Sequence, residues 1–159
     1  MPRSVATVFR MPRAPRAVLA VRRFASLDRQ SRHDVLEAAW WIGVAWVGIR
    51  VTRYLTLRRA LGRLADSTSA GGDRGDCRDI ERVRWAIPAV AAHIPRATCL
   101  IRALAADAML RRRHVASEVR LGVRTAGARR IEAHAWVESN GQAIGAVDPG
   151  QAEFKALTR

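Results

Sequence analysis

The sequence contains little cysteine, and this scarcity excludes two classes of stabilised protein. Only Cys77 and Cys99 occur among the 159 residues, and neither belongs to a CxxC pair or to a His and Cys cluster at ligand spacing. Such a chain cannot build a disulfide framework or a cysteine-rich metal centre. We therefore expect a reducing compartment, no metal site and no cofactor.

The sequence also lacks an apolar run long enough to cross a bilayer. The longest run, residues 38–49, has twelve residues and ends at Arg50, whereas a spanning helix needs roughly 20. Near the N-terminus, arginines interrupt each apolar stretch that could form the core of a secretory signal. These absences predict a cytoplasmic protein in which residues 38–49 form a buried or interfacial helix.

Lysine is nearly absent, although the chain is strongly basic. Lys155 is the only lysine among 28 basic residues, and the formal net charge is +14. Residues 1–64 hold thirteen arginines against three acids, or +10. A basic module that binds RNA, DNA or membrane is the non-enzymatic alternative. We rank this module below an enzyme, because almost all the basic residues are arginine and no aromatic residues for base stacking are interleaved with lysine. We therefore expect no nucleic-acid partner. Membrane association through the N-terminal basic helices is left as an open alternative.

Helical periodicity dominates the first two thirds of the chain. Apolar residues recur every three or four positions in four segments, namely 32–53 with Ser31 as N-cap, 55–64, 79–93, and 99–113 with Thr98 as N-cap. Asp34 and Glu37 lie near the positive end of the first helix, as its dipole favours. Because residues 66–76 are rich in Ser and Gly, we predict a helical segment over 1–65, a linker over 66–78 and a core domain over 79–159.

The period changes to two after the fourth helix. Apolar and polar residues alternate over 119–124 and again over 131–138, with a turn at Gly127 between them. Asn140-Gly141 is a strong hairpin signal, and it leads into a third strand over 142–147 that stops at Asp148. The sequence therefore predicts an α+β fold in which N-terminal helices precede a buried helix packed on an antiparallel meander.

Two residues carry the chemistry that the sequence suggests. Cys99 begins the fourth helix, which is apolar on most sides, and His134 lies within the strand that follows. A helix N-terminus stabilises a thiolate, and an imidazole can serve as its base. Cys77, in the predicted linker without a histidine neighbour, is interpreted as an exposed bystander.

Three segments carry a resemblance to a known family. They are Cys99-Leu100 with residues 102–104, Leu121-Gly122-Val123 and, above all, residues 133–138, Ala-His-Ala-Trp-Val-Glu. These segments resemble the standalone leader peptidases of lasso-peptide biosynthesis. The order of helix and strands is that of the papain-like and transglutaminase-like fold. The resemblance also extends, more weakly, to residues 36–39 and 58–62.

This resemblance implies a cysteine protease that removes the leader from a ribosomally made precursor peptide. Cys99 would be the nucleophile, and His134 the general base and then the acid. Because the chain is too short for the leader-binding domain of fused relatives, a separate leader-recognition protein and a lasso cyclase are the implied partners. Another acyl-transfer enzyme of the same fold, an amidase or a transglutaminase, is the enzymatic alternative.

Which acidic residue can orient His134 depends on the geometry of the hairpin at Asn140-Gly141. A two-residue turn at Asn140-Gly141 pairs His134 with Val147 and turns Asp148 to the other face. A three-residue loop with a bulge at Gly141 puts Asp148 on the face of His134. We predict Asp148 as the third catalytic residue through the bulged loop, with Glu132 as the substitute.

Overall fold

A computed structural model describes residues 22–68, 75–126, 130–144 and 154–157. Its four long helices and four strands follow the chain in the order α1 (Arg29–Val51), α2 (Tyr54–Ser67), α3 (Cys77–Ala91), α4 (Cys99–Arg112), β1 (Glu118–Ala126), β2 (Arg130–Ser139), β3 (Gln142–Ile144) and β4 (Lys155–Ala156). Residues 22–26 are also helical. None of the helices within these ranges is long and apolar enough to cross a membrane.

Helix α1 begins three residues before the predicted start. Its N-cap is Asp28, whose carboxylate accepts the backbone N–H groups of Gln30 and Ser31 at 3.0 and 3.2 Å. The prediction of Ser31 as the cap is therefore wrong, because a carboxylate three residues earlier captures the free N–H groups first. Hydrogen bonds from the side chain and backbone of Ser31 lower the pKa of Asp28 below its ordinary value.

The strands form one antiparallel sheet in the order β3-β2-β1-β4. The β2–β3 hairpin closes through two residues, because Ser139 pairs with Gln142 and Val137 with Ile144. Asn140 and Gly141 have φ of 51° and 75°, as a two-residue turn with both central residues left-handed requires. The bulged three-residue loop predicted for this hairpin is not formed.

Helix α4 lies at the centre of the core. Nine of its 14 residues are buried, and it packs against α1, α2, α3 and β2. The sheet contributes Val119, Ala135, Val137 and Ile144 to the same hydrophobic cluster. This confirms the predicted α+β fold, in which N-terminal helices precede a buried cysteine-bearing helix packed on an antiparallel sheet.

A buried ionic network joins α1 to the end of α4. Asp34 and Glu37 are only 2 and 8 % exposed, and Arg113 donates to both of them at 2.9 and 2.7 Å. Arg82 of α3 donates to both oxygens of Asp34 at 2.8 Å, and Arg112 donates to Glu37 at 2.6 Å. We expected these acids to interact with the dipole of their own helix. The structure shows that they pair with arginines of other elements, because buried carboxylates require charged partners.

The same network explains the protonation of Arg82. Burial works against its positive charge, but the hydrogen bonds and charge of Asp34 outweigh burial and raise the pKa of Arg82 above its ordinary value. The guanidinium therefore stays charged, and it holds α3 against α1.

The predicted division of the chain is only partly within the described residues. Helix α2 continues to Ser67 and α3 already begins at Cys77, so helices enter both ends of the predicted linker over 66–78. Residues 1–21 of the predicted N-terminal segment, residues 69–74 of the linker, the Gly127 turn and residues 145–147 of the third strand lie outside the described residues. The domain boundaries stay a prediction.

Candidate functional site

Cys99 is the first residue of α4 and lines a cleft at this end of the helix. The preceding residue, Thr98, is the N-cap as predicted, and its hydroxyl accepts the backbone N–H of Ile101 at 3.5 Å. Cys99 is half-buried. The first N–H groups of a helix have no carbonyl partner within the helix, so the thiol lies beside backbone dipoles that favour negative charge.

His134 of β2 lines the same cleft as Cys99. Four successive residues, 134–137, border it. Because neighbouring side chains of a strand point to opposite faces, residues from both faces of β2 border the cleft. Its volume is about 30 Å³, which is room for one or two water molecules. The enclosed part of the cleft is therefore small and holds only a small group.

Two aromatic rings hold the imidazole. Trp136 stacks on His134 with 6.0 Å between ring centroids and 18° between planes, and Phe154 lies 5.2 Å away at 36°. Phe154 reaches this position because β4 pairs with β1, with Ala156 opposite Gly122. These contacts leave the imidazole few orientations.

Gly122 leaves room for those rings. It lies directly opposite His134 in the β1–β2 register. A Cβ atom on Gly122 would come within 2.8 Å of the Trp136 ring and 3.0 Å of the Cβ of Phe154. The absence of a side chain is thus what allows both rings to pack beside the imidazole.

Alternate residues of the His-Ala-Trp-Val-Glu motif share one face of β2 and form a chain of contacts. The indole N–H of Trp136 donates to Glu138 at 2.8 Å, and Arg120 of β1 donates to the other oxygen of Glu138 at 3.0 Å. Arg120 therefore fixes Glu138, which fixes the ring that stacks on His134. The sequence did not reveal this support.

The third catalytic residue stays a prediction. Asp148 lies outside the described residues, and the bulged loop that was to bring it to the face of His134 is replaced by a two-residue turn. Glu132 is bound by Arg124, whose Nε and Nη2 lie 2.9 and 2.8 Å from the carboxylate. Among the residues that the structure describes, no carboxylate lines the cleft.

Cys77 provides a natural comparison, since it is the first residue of α3 just as Cys99 is the first residue of α4. The N-cap before Cys77 is Asp76, a carboxylate that accepts from Arg78 and Asp79. Cys77 is exposed and is not among the residues that line the cleft. Position at a helix start is therefore common to both cysteines, whereas the cleft shared with an imidazole distinguishes Cys99.

Sequence reasoning missed Phe154, Gly122 and Arg102 as parts of the site. Phe154 follows the predicted stop at residues 148–150, and its one visible signal is the apolar alternation of Phe154 and Ala156 around Lys155. Arg102 lies one helical turn after Cys99 and lines the cleft. Arg102 is the one arginine among the described residues that line the cleft.

One group of described residues has the geometry of a metal site, but it is already neutralised. Ligand atoms of His33, Asp34 and Glu37 lie within 4.8 Å of one another. Both carboxylates accept hydrogen bonds from arginines of the buried network. A cation would have to displace a guanidinium, so these residues fit an ionic core better than a metal centre.

Comparison with known proteins shows the family of the chain. The sequence model of the transglutaminase-like superfamily matches residues 44–159, well over half of the chain and all of the cleft. No match was found among curated proteins or among solved structures. The superfamily generally comprises cysteine-dependent enzymes, and this supports an activity of the cysteine-protease or acyl-transfer type. The chain belongs to the transglutaminase-like superfamily.

Proposed function

We propose that the protein is a cysteine peptidase that removes the leader from a ribosomally made lasso-peptide precursor. The observation that carries the chemistry is the cleft that Cys99 and His134 line together. The substrate class rests on the resemblance of residues 133–138 to leader peptidases. A separate leader-binding protein would present the precursor, and a lasso cyclase would act on the released core.

The reaction follows from the two groups in the cleft. His134 accepts the proton of the Cys99 thiol, and Sγ attacks the carbonyl carbon of the bond between leader and core. The backbone N–H of Cys99 is one donor to the oxyanion. The imidazolium then protonates the amine of the core peptide as the C–N bond breaks, which leaves the leader as a thioester. Water, deprotonated by His134, hydrolyses the thioester and regenerates the thiol.

The aromatic contacts serve this proton transfer by positioning. Trp136 and Phe154 flank the imidazole, and an imidazole confined in this way loses less rotational freedom when it meets the thiol. The volume of the cleft, about 30 Å³, fits an attack on one carbonyl of a peptide that lies across it.

We keep Asp148 as our proposal for the acid that orients His134, with Glu132 as its substitute. It rests on the resemblance to leader peptidases, which implies an acid a short way beyond the histidine, and no longer on the hairpin, which closes through two residues. Asp148→Asn keeps the shape of the side chain but removes its charge, and we expect kcat to fall at least about 100-fold, since loss of an orienting carboxylate spoils the imidazole tautomer. Glu132→Gln should leave kcat nearly unchanged, because this carboxylate is bound by Arg124. The reverse pattern in a kinetic comparison would assign the role to Glu132.

An amidase or transglutaminase is the second candidate, because superfamily membership supports acyl transfer as well as proteolysis. The first half of the reaction is the same, and only the acceptor of the acyl group differs. Mass spectrometry distinguishes them, since hydrolysis gives a free leader carboxylate and aminolysis gives an amide to the added amine.

The direct test incubates the full chain with a lasso precursor peptide and its leader-binding protein, and follows the products by mass spectrometry. We expect cleavage at the junction of leader and core. Cys99→Ala should abolish it, whereas Cys77→Ala, at the same position of another helix, should not. Cleavage that persists in a folded Cys99→Ala variant contradicts the proposal.

A further inference from the structure

A second concave surface lies at the other end of α4, away from the cleft. Four arginines line it, namely Arg58, Arg59 and Arg63 of α2 and Arg111 of α4, together with Gly62 and Asp66. We call these six residues the arginine groove. Its volume is about 470 Å³, within the range of sites that hold a ligand or several side chains. Arg111 lies twelve positions after Cys99 on one helix, or about 18 Å along the axis.

The groove contains one arginine that is held in place. Arg111 donates from Nε to the buried carboxylate of Asp107 at 3.0 Å, and the hydroxyl of Ser117 donates to the other oxygen of Asp107 at 2.7 Å. The rest of the Arg111 guanidinium extends over Gly62, where an added Cβ would lie 3.8 Å from Nη1. The groove therefore has one wall of fixed position, in which Asp107 balances the charge of Arg111. The positive charge of the groove comes from Arg58, Arg59 and Arg63.

The groove also contains one acid, Asp66, but within the described residues the other arginines are not paired with it. Within the part of the chain that the structure describes, no salt bridge involves Arg58, Arg59 or Arg63. Arg59 and Arg63 are exposed and four positions apart on α2, a spacing at which like charges repel. Arg112 and Arg113, which directly follow Arg111 at the same end of α4, are by contrast paired with acids. An anion that enters the groove would reduce this repulsion, because Asp66 alone does not balance three arginines.

We propose that the arginine groove is a docking site for an acidic segment of a partner protein. Carboxylates match the charge of the groove, and guanidinium groups bind them in paired hydrogen bonds. Leu55 borders the groove and is 59 % exposed, so the segment carries an apolar side chain among its acids. A recessed surface admits projecting side chains better than it admits a flat bilayer, and this favours a protein over a membrane. The inference does not depend on the peptidase assignment.

The test measures binding rather than cleavage, so it is independent of the fate of Cys99. A fluorescein-labelled oligoglutamate peptide with one central leucine is titrated with the full chain, and its anisotropy gives Kd. We expect Arg59→Glu with Arg63→Glu to weaken binding about tenfold, as the loss of a few screened ion pairs predicts. Added salt should weaken the binding of the natural sequence more than that of the variant.

The control separates a site from mere net charge. Arg29→Glu with Arg78→Glu makes the same charge change at exposed positions of the first turns of α1 and α3, where an acid suits the helix dipole. We expect this control to bind the peptide as the natural sequence does. Equal losses in both variants would show binding that follows total charge and would overturn the proposal. Phosphatidylserine vesicles that bind through Arg59 and Arg63, with no peptide binding, would also overturn it.

Discussion

The two ends of helix α4 use opposite kinds of chemistry. At its N-terminal end, Cys99 and His134 face a cleft that no carboxylate lines within the described residues. At its C-terminal end, Arg112 and Arg113 meet two buried carboxylates of α1 at 2.6 to 2.9 Å. The first end keeps reactive groups accessible, and the second end pairs the buried carboxylates of Asp34 and Glu37 with arginines.

The difference shows how one buried helix can be both anchor and active-site element. Basic side chains at a helix C-terminus are stabilised by the dipole, and here they also fasten α1 to α4. The N-terminal end keeps its own dipole available to the thiol, because its N-cap is the neutral Thr98. Substitutions at the N-terminal end of α4 should therefore lower activity, whereas substitutions at its C-terminal end should lower stability.

The largest effect is expected at the N-terminal end, from His134→Gln. Loss of the proposed base should lower kcat about 1,000-fold or more, with a smaller effect on unfolding. The variant should also slow alkylation of Cys99 by iodoacetamide while Cys77 reacts as before. Peptide mapping of the labelled protein measures both rates. Equal reactivity of Cys99 in the two proteins would break the comparison, because the thiol would then not depend on the imidazole.

At the C-terminal end the sharpest change is Asp34→Ala. It leaves Arg82 and Arg113 without a carboxylate that both contact, and loss of one partner from a buried ion pair costs about 3 kcal/mol. Urea unfolding followed by circular dichroism measures the loss. Glu81→Ala removes an acid that pairs with Arg84 and is 64 % exposed, so it should cost less than about 1 kcal/mol. Similar losses in both variants would show that burial of the network does not matter.

Gly122→Ala tests the aromatic support of the cleft. The new methyl group meets Trp136 at 2.8 Å, so the rings beside His134 must shift, and overpacking of this kind costs about 1 to 3 kcal/mol. We expect kcat to fall about tenfold, because a displaced imidazole meets the thiol less often. Gly43→Ala is the control, since nothing lies within 4 Å of its added Cβ and alanine favours the interior of α1. Unchanged kinetics in Gly122→Ala would contradict a positioning role for the rings.

The smallest effect concerns the helix caps. Thr98→Ala removes a single hydrogen bond of 3.5 Å, whereas Asp76→Ala at α3 removes contacts of 2.8 and 3.1 Å. Caps contribute about 0.5 to 2 kcal/mol, and we expect Thr98→Ala near the lower limit and Asp76→Ala above it. Thermal unfolding measures both. A larger loss for Thr98→Ala would indicate that its hydroxyl supports the cleft beyond capping α4.

Some assignments came from the sequence because their causes are local. Thr98 caps the helix that follows it, and the apolar residues of that helix point to burial on most sides. The start of α1 was missed, because Asp28 and Ser31 are both good caps and only the full set of backbone contacts decides between them. The hairpin was also misjudged. Asn140 and Gly141 suit a two-residue turn and a bulged loop alike, and strand pairing selected the former.

The sequence by itself determined the periods of the helices and strands, the position of Cys99 at a helix start, and the histidine within a strand. These features depend on neighbours a few positions apart. Tertiary structure alone decided that it is Cys99, and not Cys77, that shares a cleft with His134. It also decided that Asp34 pairs with Arg113, 79 positions away, and that Phe154 packs on the imidazole. Periodicity shows which face of an element is buried, but only packing of the whole chain decides which residues that face meets.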